Sequence, residues 1–363
     1  MADLLAVEDE IAREIAGRLR LRLTATQRRR LDRRPTGNAE AYQFYIRGRF
    51  YWNQFTEDST RKAIECFRQA LAKDPEYALA YAGLADCYSV LGVHFWRPSE
   101  AFPEAKKALK RALELDDTLA DVHVSLGFVL VCYDWQWPAA EREFQEALRL
   151  NPNLALAHSG YGFFLCTVGR VPESIAAYER AQKLDPLFPS AAADIAWCHF
   201  LVGRLDRALA ACQHALEVDP NYRWAVLNLA LFHVLSGSCE KAVVFAEKAR
   251  GAGPEDPNAL AVLGYVYARG GRTDVARATL AALEALAQRG YVAPFVRALV
   301  HAGLGEADEA FHWLRRAYED RNHQLIGLAR DPMLASLRTD PRFAALVRDV
   351  GSPCGAEAAE HQP

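Results

Sequence analysis

Three histidines, His199, His233 and His301, combine the residue type of a metal ligand with a regular spacing along the chain. Positions 199, 233, 267 and 301 are equally spaced, and Tyr267 occupies the one that is not a histidine. A zinc ion needs its ligands about 2 Å from one centre, whereas equivalent positions on packed helices lie about 8–10 Å apart. We therefore expect no metal site, and we interpret these histidines as replacements for a repeated tyrosine.

The sequence shows none of the common patterns of catalytic or nucleotide-binding sites. It has no Gly-x-x-x-x-Gly-Lys-Ser/Thr loop, no Gly-x-Gly-x-x-Gly turn after a strand, no His-Glu-x-x-His motif and no calcium loop. The stretch "ARGGRTD" from Ala268 suggests a phosphate loop, but Gly-Arg pairs at 169 and 203 have the same repeat position and indicate a turn. We predict a chain that is not an enzyme and has no cofactor.

Composition sets the remaining limits on the class of protein. Eight cysteines are scattered without a Cys-x-x-Cys pair, which favours reduced thiols over disulfides or zinc. The 363 residues carry a net charge of -3, which gives no general attraction to nucleic acid or acidic lipid. No apolar run reaches the length of about 18 residues that spans a bilayer, and the acidic start "MADLLAVEDE" is unlike a secretory signal. We expect a cytoplasmic protein.

A phrase that ends in Asp or Asn and usually Pro recurs along the chain, and its spacing indicates helical hairpins. The distance between successive occurrences is longest from the first to the second. The next distance is one residue longer than the last two, which are equal. A fixed period of about 34 residues, which the last two steps show, is typical of a solenoid of helical hairpins. Each unit contains two segments with apolar residues at helical spacing on either side of a turn. The phrase falls at Asp74, Asp116, Asn151, Asp185 and Asp219.

The units resemble the tetratricopeptide repeat (TPR), which has a large residue, Leu-Gly or Leu-Ala, Tyr, then Ala, Phe, Ala and Pro. One unit shows Tyr81, Leu84, Ala85, Tyr88, Ala105, Leu109 and Ala112. The resemblance implies an all-α, right-handed superhelix of about eight helical hairpins with a C-terminal capping segment. The expected parts are an amphipathic helix with an Arg-rich linker (1–34), the array (35–322), the cap (323–351) and a disordered tail (352–363).

The segments that flank the repeats resemble a narrower family, the carboxy-terminal TPR half of bacterial signalling proteins. In that family the TPR half follows a cyclase, protein-kinase or winged-helix domain. The resemblance implies that the chain is the regulatory half of a signalling or transcription system that acts with a separate or upstream effector. It is carried by "LLAVEDEIAREIAGRLRLRLT" from Leu4, "NAEAYQFYIRGRFYWN" from Asn38, "YDWQW" from Tyr133 and "DPMLASLRTDPRFAALVRDVG" from Asp331.

Two units are irregular. The long first step contains an extra stretch, "VHFWRPSEAF" from Val93, and the second step replaces the glycine turn with "YDWQWP". The tryptophans of the second stretch, Trp135 and Trp137, have the character of a ligand platform. Tryptophans beside a turn more often cover the ends of hairpins, and we favour that interpretation.

The first helix of each unit is apolar on a second face, the one that lines the concave side of a TPR superhelix. A helix that is apolar on both faces is covered on both or binds a partner. We call eight of these residues the groove ladder and predict that they bind a partner. They are Phe128, Phe163, Trp197, Leu231, Tyr265 and Leu299 at the ninth position of a unit, with Trp224 and Leu227 at the second and fifth.

The groove ladder favours an apolar or amphipathic protein segment, because burying one large apolar side chain contributes about 1.5–3 kcal/mol. A clamp for a terminal carboxylate would place Lys and Asn on these positions, and only Asn228 fits that pattern. Two alternatives stay open for the ladder. Part of it could pack between neighbouring repeats, or the protein's own terminal helix could cover it.

Residues 18–34 hold eight Arg and one Asp, a local charge of +7. Such an arm can bind phosphate backbones, but it lacks the aromatic residues that stack on bases, so we interpret it as a solvated linker. Residues 4–23 carry an apolar stripe made of Leu4, Val7, Ile11, Ile15 and Leu19. That segment could dock on the array or pair with a second copy.

Overall fold

The computed structural model describes residues 36–186 and 189–353. Within them, sixteen consecutive helices pair into eight hairpins, and two 3-10 turns and a last helix follow. The predicted all-α hairpin array is thereby confirmed. The helices are α1 (Ala39–Trp52), α2 (Glu57–Lys73), α3 (Ala78–His94), α4 (Pro98–Leu115), α5 (Ala120–Val129), α6 (Trp137–Leu150), α7 (Ala155–Thr167), α8 (Val171–Leu184), α9 (Pro189–Leu201), α10 (Leu205–Val218), α11 (Arg223–Leu235), α12 (Cys239–Ala252), α13 (Pro257–Arg269), α14 (Thr273–Ala287), α15 (Pro294–Leu304), α16 (Ala307–Glu319) and α17 (Pro341–Val350).

The recurring Asp or Asn of the repeat phrase ends the second helix of one hairpin and begins the next hairpin. Asp74 caps α2, and its side chain accepts a hydrogen bond of 3.0 Å from the backbone N–H of Glu76. Asp219 and Asn151 accept the same bond from the residue two positions later, at 3.0 and 3.2 Å. Short polar side chains form this turn readily, which explains why the phrase marks the joints between hairpins.

In seven of the eight hairpins, the turn between the two helices contains a residue with positive φ. Glycine supplies it in the last five hairpins, for example Gly169 at φ 89° and Gly271 at φ 78°, because glycine adopts this conformation without a steric cost. The third hairpin lacks that glycine. Its first helix ends in a π turn, Leu130–Asp134, and Trp135 takes the left-handed conformation at φ 56°.

Small residues let the helices approach closely. A Cβ atom on Gly83 would lie 2.5 Å from the ring of Phe67, and one on Gly48 would lie 2.7 Å from the same ring. The ring of Phe67 is fully buried, so three helices, α1, α2 and α3, meet on this side chain. The alanine series at 208, 242 and 276 is fully buried too.

The two irregular stretches bring distant hairpins together. His94, at the end of α3, lies with its ring 5.8 Å from the ring of Trp224 in the sixth hairpin. The Arg97 guanidinium lies 5.7 Å from the ring of Tyr291, which precedes α15. Trp135 is buried, and its ring lies 5.5 Å from Tyr318. These contacts close the superhelix between hairpins that are not neighbours along the chain.

The chain then crosses the inner side of the array. We call residues 320–337 the strap; it contains two 3-10 turns, His323–Gly327 and Pro332–Leu337. Each turn begins on a side-chain cap: Asn322 accepts from the backbone of Gln324, and Asp331 accepts from the backbone of Met333. After the strap, α17 returns to α16.

Predictions for residues 1–34, which include the apolar stripe and the Arg-rich linker, fall outside the described residues, as does the tail from 354. The limits of the four expected parts stay predictions. Among the helices that are described, none is long and apolar enough to cross a membrane.

Candidate protein-binding groove

The eight residues of the groove ladder divide into two groups by exposure. Leu227, Leu231, Tyr265 and Leu299 are buried, at 2, 5, 3 and 4 % exposure. The other four, Phe128, Phe163, Trp197 and Trp224, are half-buried. The ladder is therefore partly accessible toward the middle of the array and covered toward its C-terminal end.

The strap is what covers it. A cavity of about 320 Å³ lies between strap and ladder, and Trp197, Leu231 and Leu299 line it from the array. Ile326 and Met333 line the same cavity from the strap. One alternative from the sequence was that the protein's own terminal helix covers the ladder. A later segment of the chain does cover this part of the ladder, but it is a pair of 3-10 turns and not a terminal helix.

Polar contacts fix the strap at several hairpins. Arg330 donates from Nη1 to the backbone oxygen of Gly169 in the fourth hairpin, at 2.9 Å. Gln324 donates from Nε2 to Asn258 Oδ1 in the seventh, at 3.4 Å. The strap therefore spans the inner side of the array and does not simply extend its last repeat.

Asn228, the residue closest to a carboxylate-clamp pattern, is used within the array. Its Nδ2 donates to the backbone oxygen of Ala193 at 3.1 Å, which joins α11 to α9. This bond leaves less of its amide for a terminal carboxylate and agrees with the choice of an apolar ligand.

Asp194 was not singled out from the sequence, yet it lines the cavity beside Trp197 and Asn228. Burial raises the pKa of its carboxyl to about 7. Its one sequence signal is an acidic residue in an otherwise apolar helix, "AAADIAW". A single helical pattern does not distinguish such a residue from one that faces solvent.

A polar cluster joins the first helices of the first three hairpins. Arg49 pairs with Asp86 at 3.1 Å, and Ser125 Oγ donates to the other Asp86 oxygen at 2.5 Å. Burial raises the pKa of Asp86 to about 6, although Arg49 and Ser125 oppose this rise. A larger cavity of about 740 Å³ extends from Arg49 to Trp224. The polar start and the apolar end together make the surface amphipathic along its length.

A histidine pair lies where strap and superhelix closure meet. The rings of His94 and His323 are 5.9 Å apart. Burial lowers the pKa of His323 to about 4, and burial, His323 and Arg223 hold the pKa of His94 well below its usual range. Both rings are therefore neutral at pH 7. Sequence reasoning missed this pair because the two residues lie near opposite ends of the array.

The three regularly spaced histidines have different surroundings. His301 Nδ1 lies 2.7 Å from Glu306 Oε2, and His233 stacks on Phe245 at 5.6 Å. His199 is buried. In the part of the chain that the structure describes, no group of three or more His, Cys, Asp or Glu side chains is placed to hold a metal ion.

The family comparison agrees with the repeat pattern in two stretches of the chain. The tetratricopeptide-repeat family model matches residues 57–92 and 167–223. The solved structure of PilW, a type IV pilus biogenesis factor, is 18% identical and covers 61% of this chain and 98% of that chain, with a TM-score of 0.47. A tetratricopeptide-repeat protein from Parabacteroides merdae ATCC 43184 is 14% identical and covers 71% of this chain and 98% of that chain, with a TM-score of 0.47. YrrB, described as a TPR protein with an unusual peptide-binding site, is 24% identical and covers 54% of this chain and 97% of that chain, with a TM-score of 0.35.

A curated relative matches part of the chain. A protein of Rhizobium meliloti (strain 1021), "Putative adenylate cyclase 3", is 28% identical over 132 residues, which cover 36% of this chain. The match spans 22% of that relative.

Eight stacked hairpins with a shared inner surface define a helical-repeat solenoid, a class whose extended concave surfaces bind other proteins. The period and the small residues at the helix crossings support this class, and the chain is similar to tetratricopeptide-repeat proteins over the two stretches that the family model matches. Its fold is of the kind that serves as a protein-interaction scaffold.

Proposed function

We propose that the array binds an apolar or amphipathic segment of another protein along the groove ladder and has no catalytic activity of its own. One observation carries this proposal: the ladder already holds an extended segment, the strap, on its covered half. Phe163, Trp197 and Trp224 line the same cavity as the strap and are only half-buried, so this part of the ladder stays partly accessible beside the strap.

The geometry suits a peptide better than a flat protein surface. The half-buried aromatic residues border cavities of about 320 and 740 Å³, which accommodate side chains of a bound segment. Central aromatic residues of such sites commonly carry most of the binding free energy. We expect Trp197 to be an anchor.

Replacing Trp197 tests the proposal. Peptides selected from a displayed library against the full chain should be rich in apolar residues, and Trp197→Ala should weaken their binding by about 2 kcal/mol or more, measured by calorimetry. Trp197 also stacks on Phe232 at 6.1 Å, so circular dichroism and melting must show that the variant stays folded. Trp197→Phe is the milder second variant.

Val244→Ala is the matched control, since Val244 is 66 % exposed on α12 and lies outside the groove ladder. It should leave the affinity unchanged. Selected peptides that bind the folded Trp197 variants as tightly as the parent chain would place the binding surface elsewhere.

A second candidate function is a regulatory half of a cyclase-linked signalling system. It is favoured by the similarity to the protein described as an adenylate cyclase and by the flanking segments of the sequence. The test is to find the effector in the same or an adjacent reading frame and to measure its activity with and without the array. An effector whose output ignores the array would remove this candidate.

A further inference from the structure

We propose that the strap is an internal ligand of the groove, and that a partner binds by displacing it with a segment of the same chemistry. That segment carries leucine, isoleucine or methionine side chains on short helical turns, together with an arginine. This inference rests on the proposed function. It specifies the chemistry of the partner segment and the part of the chain that competes with it.

The apolar side chains of the strap define the first part of this chemistry. Ile326 and Met333 are buried and reach the cavity that Trp197 and Leu231 line from the array. Burial raises the pKa of the Tyr265 phenol to about 12; Arg269 opposes this rise, and the Asp331 carboxyl of the strap adds to it. The strap therefore occupies the groove ladder itself, on its covered half.

Arg330 defines the second part. Its guanidinium donates to the backbone oxygen of Gly169 at 2.9 Å. Gly169 follows the end of α7 in the left-handed conformation, and carbonyl groups at a helix C-terminus carry partial negative charge that favours a cation. A partner with an arginine at the equivalent place would make the same bond.

The strap is built to open without unfolding the array. It consists of 3-10 turns, which have poorer hydrogen-bond geometry than α-helix, and some of its polar contacts are long, such as 3.9 Å between Arg97 and Asp320. The flanking helix α17 is held to α16 independently, because Arg315 pairs with Asp349 at 2.9 Å. Local opening of such a segment costs less than global unfolding.

Displacement has a measurable consequence. A tethered strap competes with any partner at a high effective concentration. The apparent affinity of a partner is therefore its intrinsic affinity multiplied by the fraction of chains whose groove is open. Weakening the strap must then strengthen binding in trans. Damage to the groove ladder must weaken it, so the two kinds of variant act in opposite directions.

The strap itself supplies the probe. A fluorescent peptide with the sequence "DRNHQLIGLARDPMLASL", residues 320–337, is titrated into the full-length chain and followed by anisotropy. Arg330→Ala in the chain should raise the affinity for the peptide about ten-fold or more. Adding Trp197→Ala to that variant should abolish the gain.

Two controls separate displacement from general loosening. Arg348→Ala removes an exposed arginine from α17, outside the strap, and should leave peptide binding as in the parent chain. Met333→Ala is a second way to weaken the strap if Arg330→Ala fails to fold. Hydrogen exchange of the parent chain should show residues 323–337 opening faster than α13 and α15.

The outcomes distinguish this inference from the proposed function. If neither weakened strap raises the affinity, or if residues 323–337 exchange only with the whole array, the strap is a fixed cap and this inference is wrong. Library peptides that still depend on Trp197 would then leave the proposed function standing. A dimer that the free peptide does not compete away would place a second copy, and not a different partner, in the groove.

Discussion

At the scale of single residues, the array depends on glycines that leave room for an aromatic ring. Gly83 faces Phe67 so closely that a Cβ would lie 2.5 Å from the ring. Gly251, near the end of α12, has nothing within 4 Å of the same position. The two sites are both helical and differ in the space around them.

We expect Gly83→Ala to destabilise the protein by about 1–3 kcal/mol because the overpacked ring must move. Gly251→Ala should stabilise it by up to about 1 kcal/mol, since alanine is the better helix former and meets no obstacle. Denaturant unfolding measures both. A Gly83 variant as stable as the Gly251 variant would contradict the close packing.

Residue types predicted this packing well, and they predicted the groove poorly. The small residues and the repeat phrase that ends at Asp74 and Asp219 reflect local backbone geometry. The sequence of a single repeat is enough to predict them. Arg330 and the pair His94–His323 make contacts between distant parts of the chain, and Asp194 lines a cavity that such parts enclose. No periodic pattern marks such residues, because their roles arise only when the superhelix closes.

At the scale of elements, the strap was expected only as a cap. Its 3-10 turns have no apolar period that identifies them, and the sequence signals, Asn322 and Asp331 before short apolar runs, predict turns and not their location. In the folded chain the apolar residues of the strap, such as Leu325 and Leu334, belong to the same hydrophobic cluster as the C-terminal hairpins.

The histidine pair should make strap closure depend on pH. The folded pKa of His323 is about 4, and that of His94 is well below its usual value. Open or unfolded histidine takes up its proton near pH 6.5, so the closed state loses stability as pH falls below about 6.5, and for His323 this loss continues to about pH 4. Arg223 adds a nearby positive charge that acts in the same direction.

Asp331 acts in the opposite direction, because burial raises the pKa of its carboxyl to about 6 and the closed state therefore binds its proton more readily. A variant comparison isolates the histidines. Hydrogen exchange of residues 323–327, corrected for intrinsic rate, should accelerate between pH 7 and 5.5 more in the parent chain than in a His94→Gln, His323→Gln variant. Equal acceleration in both would remove the pair as the cause.

At the scale of the whole molecule, closure of the superhelix distinguishes this array from a simple stack. In repeat proteins each unit normally contacts only its neighbours, so their stability is nearly a sum of local terms. Here the ring of His94 meets Trp224, and Arg97 meets both Tyr291 and Asp320. These contacts come from the irregular second hairpin, whose extra length gives it the reach to span the array.

Removing these contacts should open the molecule without melting its hairpins. We expect Arg97→Ala combined with Trp224→Ala to increase the maximum dimension in small-angle X-ray scattering while helicity by circular dichroism stays unchanged, because the hairpins keep their nearest neighbours. Lys62→Ala, on the exposed outer side of α2, is the control and should leave the scattering curve as it is. An unchanged dimension would mean that the stacking of neighbouring hairpins alone sets the curvature, and the irregular hairpin would then have no role in shaping the groove.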